Sequence, residues 1–283
     1  MTSKFAKNLQ AWKEQLNGKD RHAIWRRVAN LLMYDAVWRT YNEARRISHI
    51  ANDPVTGLAG SIIEVIDQGF FCLQVFEISK LVEKNWDNPQ KHLYSLRRLF
   101  DEIKDSQDLY TREKYVTYDG ISYEKDTNEV WKAESHREDR HEKYDIMSGV
   151  IEKEHRSKGD KLSNDYLDKI ETEFNTFKDL KIYRNKFLAH AVDPKNRKAI
   201  EEVLDKITLA YFDECYQSII KIGKMLELLL DELLLCEVPL LMYDITKNWD
   251  KPAVTSNDIS KLEAYWDRRL DEIKDWNEIA TLI

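Results

Sequence analysis

Apolar residues return every three or four positions through most of this chain, and that spacing is the strongest limit on its fold. Ile24, Val28, Leu31, Leu32 and Trp38 follow it over a predicted helix from about Arg21 to Arg45. Ile62, Ile66, Phe70, Leu73, Phe76 and Ile78 mark a second helix, apolar nearly all round and therefore expected at the centre of the core. Leu93, Leu96, Leu99, Phe100 and Ile103 begin a third after Asn88-Pro89. Leu167, Ile170, Phe174 and Phe177 form the seam of a fourth, which continues past Tyr183 and Phe187 and ends at Pro194. The residue before a proline is pushed out of the α region, so the stop is physical. A long helix then runs from about Lys198 to Cys236. Residues 246–283 read as a linker followed by an amphipathic helix carrying Ile259, Leu262, Trp266, Leu270 and Ile273.

Turn residues are scarce. The chain has 8 Gly and 5 Pro in 283 residues, where average usage would make the pair roughly 12% of a chain. Sandwiches, barrels and Gly-rich phosphate loops need more, so the expected class is all-α. With 42% hydrophobic residues, 8 Trp, 14 Tyr and 9 Phe, there is enough apolar surface for a core despite 34% charge, which excludes a disordered chain. Cys72, Cys215 and Cys236 are far apart and show no CxxC spacing, so disulfides and zinc knuckles are not expected and a reducing compartment fits. The most aliphatic stretch, Ile219 to Leu235, is broken by Lys221, Lys224, Glu227, Asp231 and Glu232. That falls short of the ~18 consecutive apolar residues of a membrane span. The first twenty residues hold no apolar run of signal-peptide length. The expectation is a soluble, cytoplasmic protein with no membrane partner.

Between about Lys104 and Asp160 aliphatics thin out and charge becomes dense, as in KAESHREDRHEK. Tyr115 to Tyr123, YVTYDGISY, sets Asp119-Gly120 between β-branched and aromatic residues, a strong hairpin signal. The reading is a small β-hairpin followed by a solvated charged helix or loop. Residues 104–160 would then be a polar insertion within a single helical-bundle domain covering 1–283.

One segment gathers functional signals: LKIYRNKFLAHAVDPKNRK, from Leu180 to Lys198. Between Lys178 and Lys198, the cations Lys178, Lys181, Arg184, Lys186, Lys195, Arg197 and Lys198 face Asp179 and Asp193 alone, about +5 in a chain of net charge −7. A basic island on an acidic protein attracts phosphate while the remaining surface repels polyanions. On a regular α-helix, His190 would lie roughly 120° round from Arg184 and about 9 Å along the axis. One helix alone therefore makes a loose site, and a compact one needs a second copy of the segment. A histidine in a last helical turn also feels the negative helix end, which favours imidazolium.

YRNKFLAH resembles the R-x(4–6)-H motif, with a polar residue after the arginine, of the HEPN superfamily (higher eukaryotes and prokaryotes nucleotide-binding domains). The wider phrase, Arg-Asn-Lys then Ala-His followed by an acidic residue and proline, is similar to the abortive-infection U-type branch of bacterial antiphage proteins. The resemblance implies a helical bundle that dimerises and sets both motifs in one cleft, with no metal or cofactor. It implies an endoribonuclease in antiphage defence or a toxin–antitoxin system, with RNA and an antitoxin protein as partners. Arg184 would hold the scissile phosphate, Asn185 would support that geometry, and His190 would act as acid or base. Lys178, Lys181, Lys186, Lys195, Arg197 and Lys198 would bind the RNA backbone. The family also contains inactive and purely nucleotide-binding members, so a non-catalytic interaction or nucleotide-binding module is the alternative. At residue level, the alternative is that Arg184 and His190 cap a helix end and the lysines are solvated.

Other constellations are weaker. His136, His141 and His155 lie among acidic residues but match no metal-ligand spacing. Arg45 or Arg46 with His49 imitates a shorter motif without the surrounding phrase. Tryptophans such as Trp25, Trp38 and Trp131 could stack on bases, although such residues more often fill cores.

Overall fold

The computed structural model describes residues 3–50, 60–84, 93–126, 128, 130–188, 205–232, 260, 261, 263–265, 267 and 268. Among these the architecture is all-α, and β pairing is confined to one isolated antiparallel bridge between Thr111 and Lys161. The chain divides into two units, Met1–Arg39 with Val65–Leu240, and Thr40–Glu64 with Leu241–Ile283.

In the first unit, α1 (Lys4–Asn17) opens where the Ser3 hydroxyl accepts the Ala6 amide. It buries Phe5, Leu9, Trp12 and Leu16 along one stripe. Helix α2 spans Ile24–Ile50 and α3 spans Gly60–Leu81; residues 40–50 of the former and 60–64 of the latter belong to the second unit. Helix α4 (Leu96–Asp105) starts at a Ser95 N-cap and turns Leu96, Leu99, Phe100 and Ile103 inward. After α5 (Arg112–Val116) come α6 (Trp131–Ser148) and α7 (Asn164–Glu173). A 3₁₀ turn (Phe174–Phe177) leads into α8 (Lys178–Tyr183). Helix α9 (Leu209–Leu230) begins where the Thr208 side chain accepts the Tyr211 amide. The expected unbroken helix from near Lys198 does not form, because residues 205–208 are not helical. The expected continuation through Leu233 to Cys236 lies outside the described residues.

Helix α9 holds the centre of the core, the position expected for α3. It packs against α1, α4, α6 and α7 and buries Phe212, Cys215, Ile219, Ile222, Leu226, Leu229 and Leu230. Gly223 permits a close approach to α2, since a Cβ there would lie 2.6 Å from the Trp25 ring. Helix α3 buries Phe70, Val75, Ile78 and Leu81 but leaves Ile66, Leu73 and Phe76 exposed. Its apolar surface exceeds what its neighbours cover. A buried polar cluster ties α2, α3 and α9, with the Tyr216 hydroxyl 3.1 Å from an Asp35 carboxylate oxygen and 3.0 Å from the Gln74 amide oxygen.

The β-hairpin does not form. Tyr115 and Val116 lie in α5, which the Thr111 side chain caps by accepting the Lys114 amide. The Asp119-Gly120 turn is present: the Gly120 amide donates to the Thr117 carbonyl, and Gly120 takes φ +96°, where glycine has no Cβ penalty. No strand flanks that turn, since Tyr115 and Val116 are fully buried and the Tyr115 hydroxyl donates to the Leu228 carbonyl of α9. Asp119 is held by two Arg140 nitrogens at 2.7 Å. Tertiary packing outweighs the local β preference. Nor is α6 a solvated charged helix all round, because Arg137, Arg140, His141, Tyr144 and Met147 are buried.

Asp231 closes α9 in a left-handed conformation, φ 48°, that L-residues seldom adopt. Its carboxylate accepts from Arg140 Nε at 2.7 Å, Lys143 Nζ at 2.8 Å and the Tyr118 hydroxyl at 3.1 Å. Burial alone would raise its pKa, but the Lys143 and Arg140 cations outweigh that and hold it below the usual carboxylate value. Such a group contributes stability that is present above its unfolded pKa of about 3.9 and is lost as pH falls through its depressed folded value. Asp231→Asn tolerates the same backbone without the charge, and is expected to lower stability at pH 7 by about 2 kcal/mol. The check is urea unfolding of both proteins from pH 7 to pH 3, and the gap is expected to close toward the acid end.

In the second unit, the described residues are helical. The Arg46 guanidinium pairs with Glu43 at its Nε, 2.7 Å from the carboxylate, and Arg268 lies over the Tyr265 ring at 5.1 Å. Residues 260, 261, 263–265, 267 and 268 are helical where the C-terminal amphipathic helix is expected. Its marker residues Ile259, Leu262, Trp266, Leu270 and Ile273 lie outside the described residues.

Candidate functional site

The motif segment is anchored from beneath. Phe177 and Leu180 are buried in the core, fixing the junction between the 3₁₀ turn and α8. The Tyr211 hydroxyl of α9 pins the same junction, accepting the Leu180 amide at 3.2 Å and donating to the Thr176 carbonyl at 2.7 Å. After Tyr183 the helix widens into a π-helical turn, Arg184–Leu188. The i→i+5 bonding of a π turn changes the rotation per residue, so the 120° offset reckoned for a regular α-helix does not apply across the motif. Single π turns inside helices recur at functional sites.

Arg184 reaches back to the end of α3. Its two terminal nitrogens lie 3.0 and 3.3 Å from the two carboxylate oxygens of Glu83, and its Nε donates to Asn185 Oδ1 at 3.0 Å. Planar two-pronged pairing of this kind is the strongest grip a guanidinium makes on an oxyanion. Both side chains of the pair are mostly covered, at 16% and 17% exposure. Lys178, Lys181 and Asn185 are exposed. The structure thus brings Arg184, Lys178 and Lys181 to one cleft, with Asn185 hydrogen-bonded to Arg184. The Lys186 side chain, His190, Lys195, Arg197 and Lys198 lie outside the described residues.

Glu83, Lys84, Arg97 and Ser79 were not legible as site residues, yet they line a cleft of about 180 Å³ together with Lys178, Lys181 and Arg184. Glu83 is 101 positions from Arg184, beyond any local spacing rule. Of the Glu83–Arg184 pair, only the arginine carries a signal in the sequence.

The remaining candidates resolve locally. His141 is buried edge-on against Tyr123 at 5.0 Å, and burial lowers its pKa so that the ring is neutral at pH 7. His136 and His155 are exposed, and no group of three His, Cys, Asp or Glu that could hold a metal occurs among the described residues. Burial pushes the Cys215 thiol up to about 12, which removes it as a nucleophile at neutral pH. Arg45 donates to Asn42 at 2.6 Å, and the His49 side chain lies outside the described residues. Trp38 stacks on Phe70 at 4.1 Å as packing, whereas Trp131 is 77% exposed. No described helix is long and apolar enough to cross a membrane.

Fold and site together define an all-α protein with a cationic cleft beside a π-helical Arg-Asn turn. No protein-family model, curated protein or solved structure matches the chain.

Proposed function

We propose that the chain is a metal-independent endoribonuclease of HEPN type, acting in antiphage defence or a toxin–antitoxin system. The observation that carries the reading is the Arg184-Asn185 pair on a π-helical turn at the rim of a cleft rich in lysine. In this reading His190 takes the proton of a ribose 2′-hydroxyl, whose oxygen attacks the adjacent phosphorus. The 5′-oxygen leaves with a proton, from the same imidazole or from that of a second copy. Arg184 steadies the charge that develops on the phosphoryl oxygens. The products are a 2′,3′-cyclic phosphate, or the 3′-phosphate formed when it hydrolyses, and a 5′-hydroxyl. A homodimer joins two motifs in one groove, and an antitoxin would mask it.

The test is incubation of the purified chain with single-stranded RNA in excess EDTA, followed by identification of the termini. Cyclic-phosphate ends are expected; intact RNA at every protein concentration overturns the reading. The closed Glu83–Arg184 pair favours one rival, in which Arg184 joins α3 to the π turn and the surface is a non-catalytic interaction or nucleotide-binding module. That rival expects binding without cleavage.

A further inference from the structure

The cleft between the end of α3 and α8 has an unbalanced lining. Among the described residues, five cations, Lys84, Arg97, Lys178, Lys181 and Arg184, face it against Glu83 as the one acidic lining residue. Arg97 is neutralised by Glu171 and Asp101 at 2.5 and 2.9 Å, and Arg184 by Glu83. Lys84, Lys178 and Lys181 have no ion-pair partner among the described residues. Three unpaired charges beside apolar walls of Val82, Phe174 and Phe177 focus a positive potential into the cleft.

Two further lining groups are unusual. Ser79 and Arg97 are 4% and 8% exposed, and the Ser79 Oγ and Arg97 Nε are buried with no hydrogen-bond partner. Both can donate a hydrogen bond, and buried donors are almost always paired in folded proteins. The two atoms are closed to solvent in the free protein, so an oxyanion in the cleft reaches them only where the lining shifts.

We propose that this cleft binds a phosphoryl dianion, and that in the free protein the Glu83 carboxylate holds the place of that group on Arg184. Two carboxylate oxygens at 3.0 and 3.3 Å from the guanidinium occupy positions that two phosphoryl oxygens take in a forked arginine contact. A dianion brings twice the charge of a carboxylate to three free lysines, which favours the exchange. Glu83 lies beyond the last residue of α3, in a non-helical stretch, so it can turn to water without unwinding the helix. The lysines fit a terminal phosphate, free or at an RNA end, better than a singly charged diester. The cleft shares Arg184 with the nuclease reading but does not depend on His190 or on cleavage.

The experiment is calorimetric titration of the full chain with inorganic phosphate at pH 7.5. Glu83→Gln removes the competing charge at nearly constant shape and is expected to tighten binding about tenfold. The double change Lys178→Gln with Lys181→Gln is expected to weaken it by about as much. Unchanged affinity in both variants would mean an adventitious ion only and overturn the proposal, as would weaker binding by Glu83→Gln. If Glu83→Gln fails to fold, Glu83→Ala takes its place with the same expectation. An oligoribonucleotide carrying a 5′-phosphate should compete with inorganic phosphate better than its dephosphorylated twin if the source is an RNA end; equal competition points to free phosphate, and both support the cleft. RNA cleavage measured alongside keeps the two readings apart. Absent cleavage with Glu83-sensitive phosphate binding leaves the cleft standing without the nuclease. His190-dependent cleavage with phosphate binding indifferent to Glu83 and both lysines does the reverse.

Discussion

His190→Ala is expected to slow EDTA-resistant RNA cleavage by roughly 10²–10⁴-fold, the usual contribution of one positioned acid–base group. A ribose hydroxyl is a poor nucleophile at neutral pH, and the departing 5′-oxygen is a poor leaving group unless protonated. Imidazole is the side chain whose ordinary pKa lets it serve both needs near pH 7. Arg184→Ala should fall in the same range by a separate route, since it removes charge stabilisation rather than proton transfer. Arg184→Lys should recover little of the loss, because an ammonium cannot grip two oxygens in a plane. Initial rates on a labelled oligoribonucleotide, with circular dichroism to confirm folding, decide the matter. A His190→Ala protein that cuts at the parent rate would remove the histidine from the chemistry.

The largest loss of stability is expected at a residue far from the motif in sequence. Arg112 is fully buried, and its guanidinium is satisfied from three directions. Nε donates to Asp160 at 2.7 Å, and one terminal nitrogen to Asp145 at 2.7 Å and to the His141 carbonyl at 3.1 Å. The other terminal nitrogen donates to the Ser148 hydroxyl at 3.2 Å, and the Tyr144 ring lies 5.0 Å away. Arg112→Ala takes the cation from the Asp160 carboxylate, leaves Asp145 with Arg156 alone, and opens a cavity where the side chain lay. Breaking a buried pair in this way costs roughly 3–5 kcal/mol. The urea midpoint of Arg112→Ala should therefore drop far below that of the parent, and far more than in Asp231→Asn. A change under about 1 kcal/mol, within the range of an exposed ion pair, would show that the buried cluster contributes little.

Arg112 also shows why residues 104–160 were hard to read. Counted along the chain, the segment is poor in aliphatics, and charge runs usually form solvated faces. In space, Tyr110, Tyr115 and Tyr144 turn their rings into the shared core and satisfy their hydroxyls on backbone carbonyls. Arg112 and Arg140 are buried because carboxylates follow them inward. Such pairings join residues tens of positions apart, and one sequence holds no record of which carboxylate meets which cation. The Asp-Gly turn was legible for the opposite reason, since its backbone demand is met within four residues.

The motif region divides the same way. Arg184-Asn185, with Lys178 and Lys181 nearby, could be picked out from residue type and local charge. Glu83, Lys84, Arg97 and Ser79 could not, because they reach the cleft from α3, α4 and the stretch after α3.

Helix existence follows from contacts three and four residues apart, and those are written in the order of the side chains; the all-α class and the approximate place of α2, α3 and α4 were available from that order alone. Which helix occupies the centre depends on how much apolar face each neighbour covers. Helix α9 is enclosed on several sides, while α3, the more evenly apolar of the two to the eye, keeps Leu73 and Phe76 in water. The grip of Glu83 on Arg184 likewise exists only once α3 and α8 are packed together. Local spacing decides what a segment becomes, and long-range packing decides what it touches.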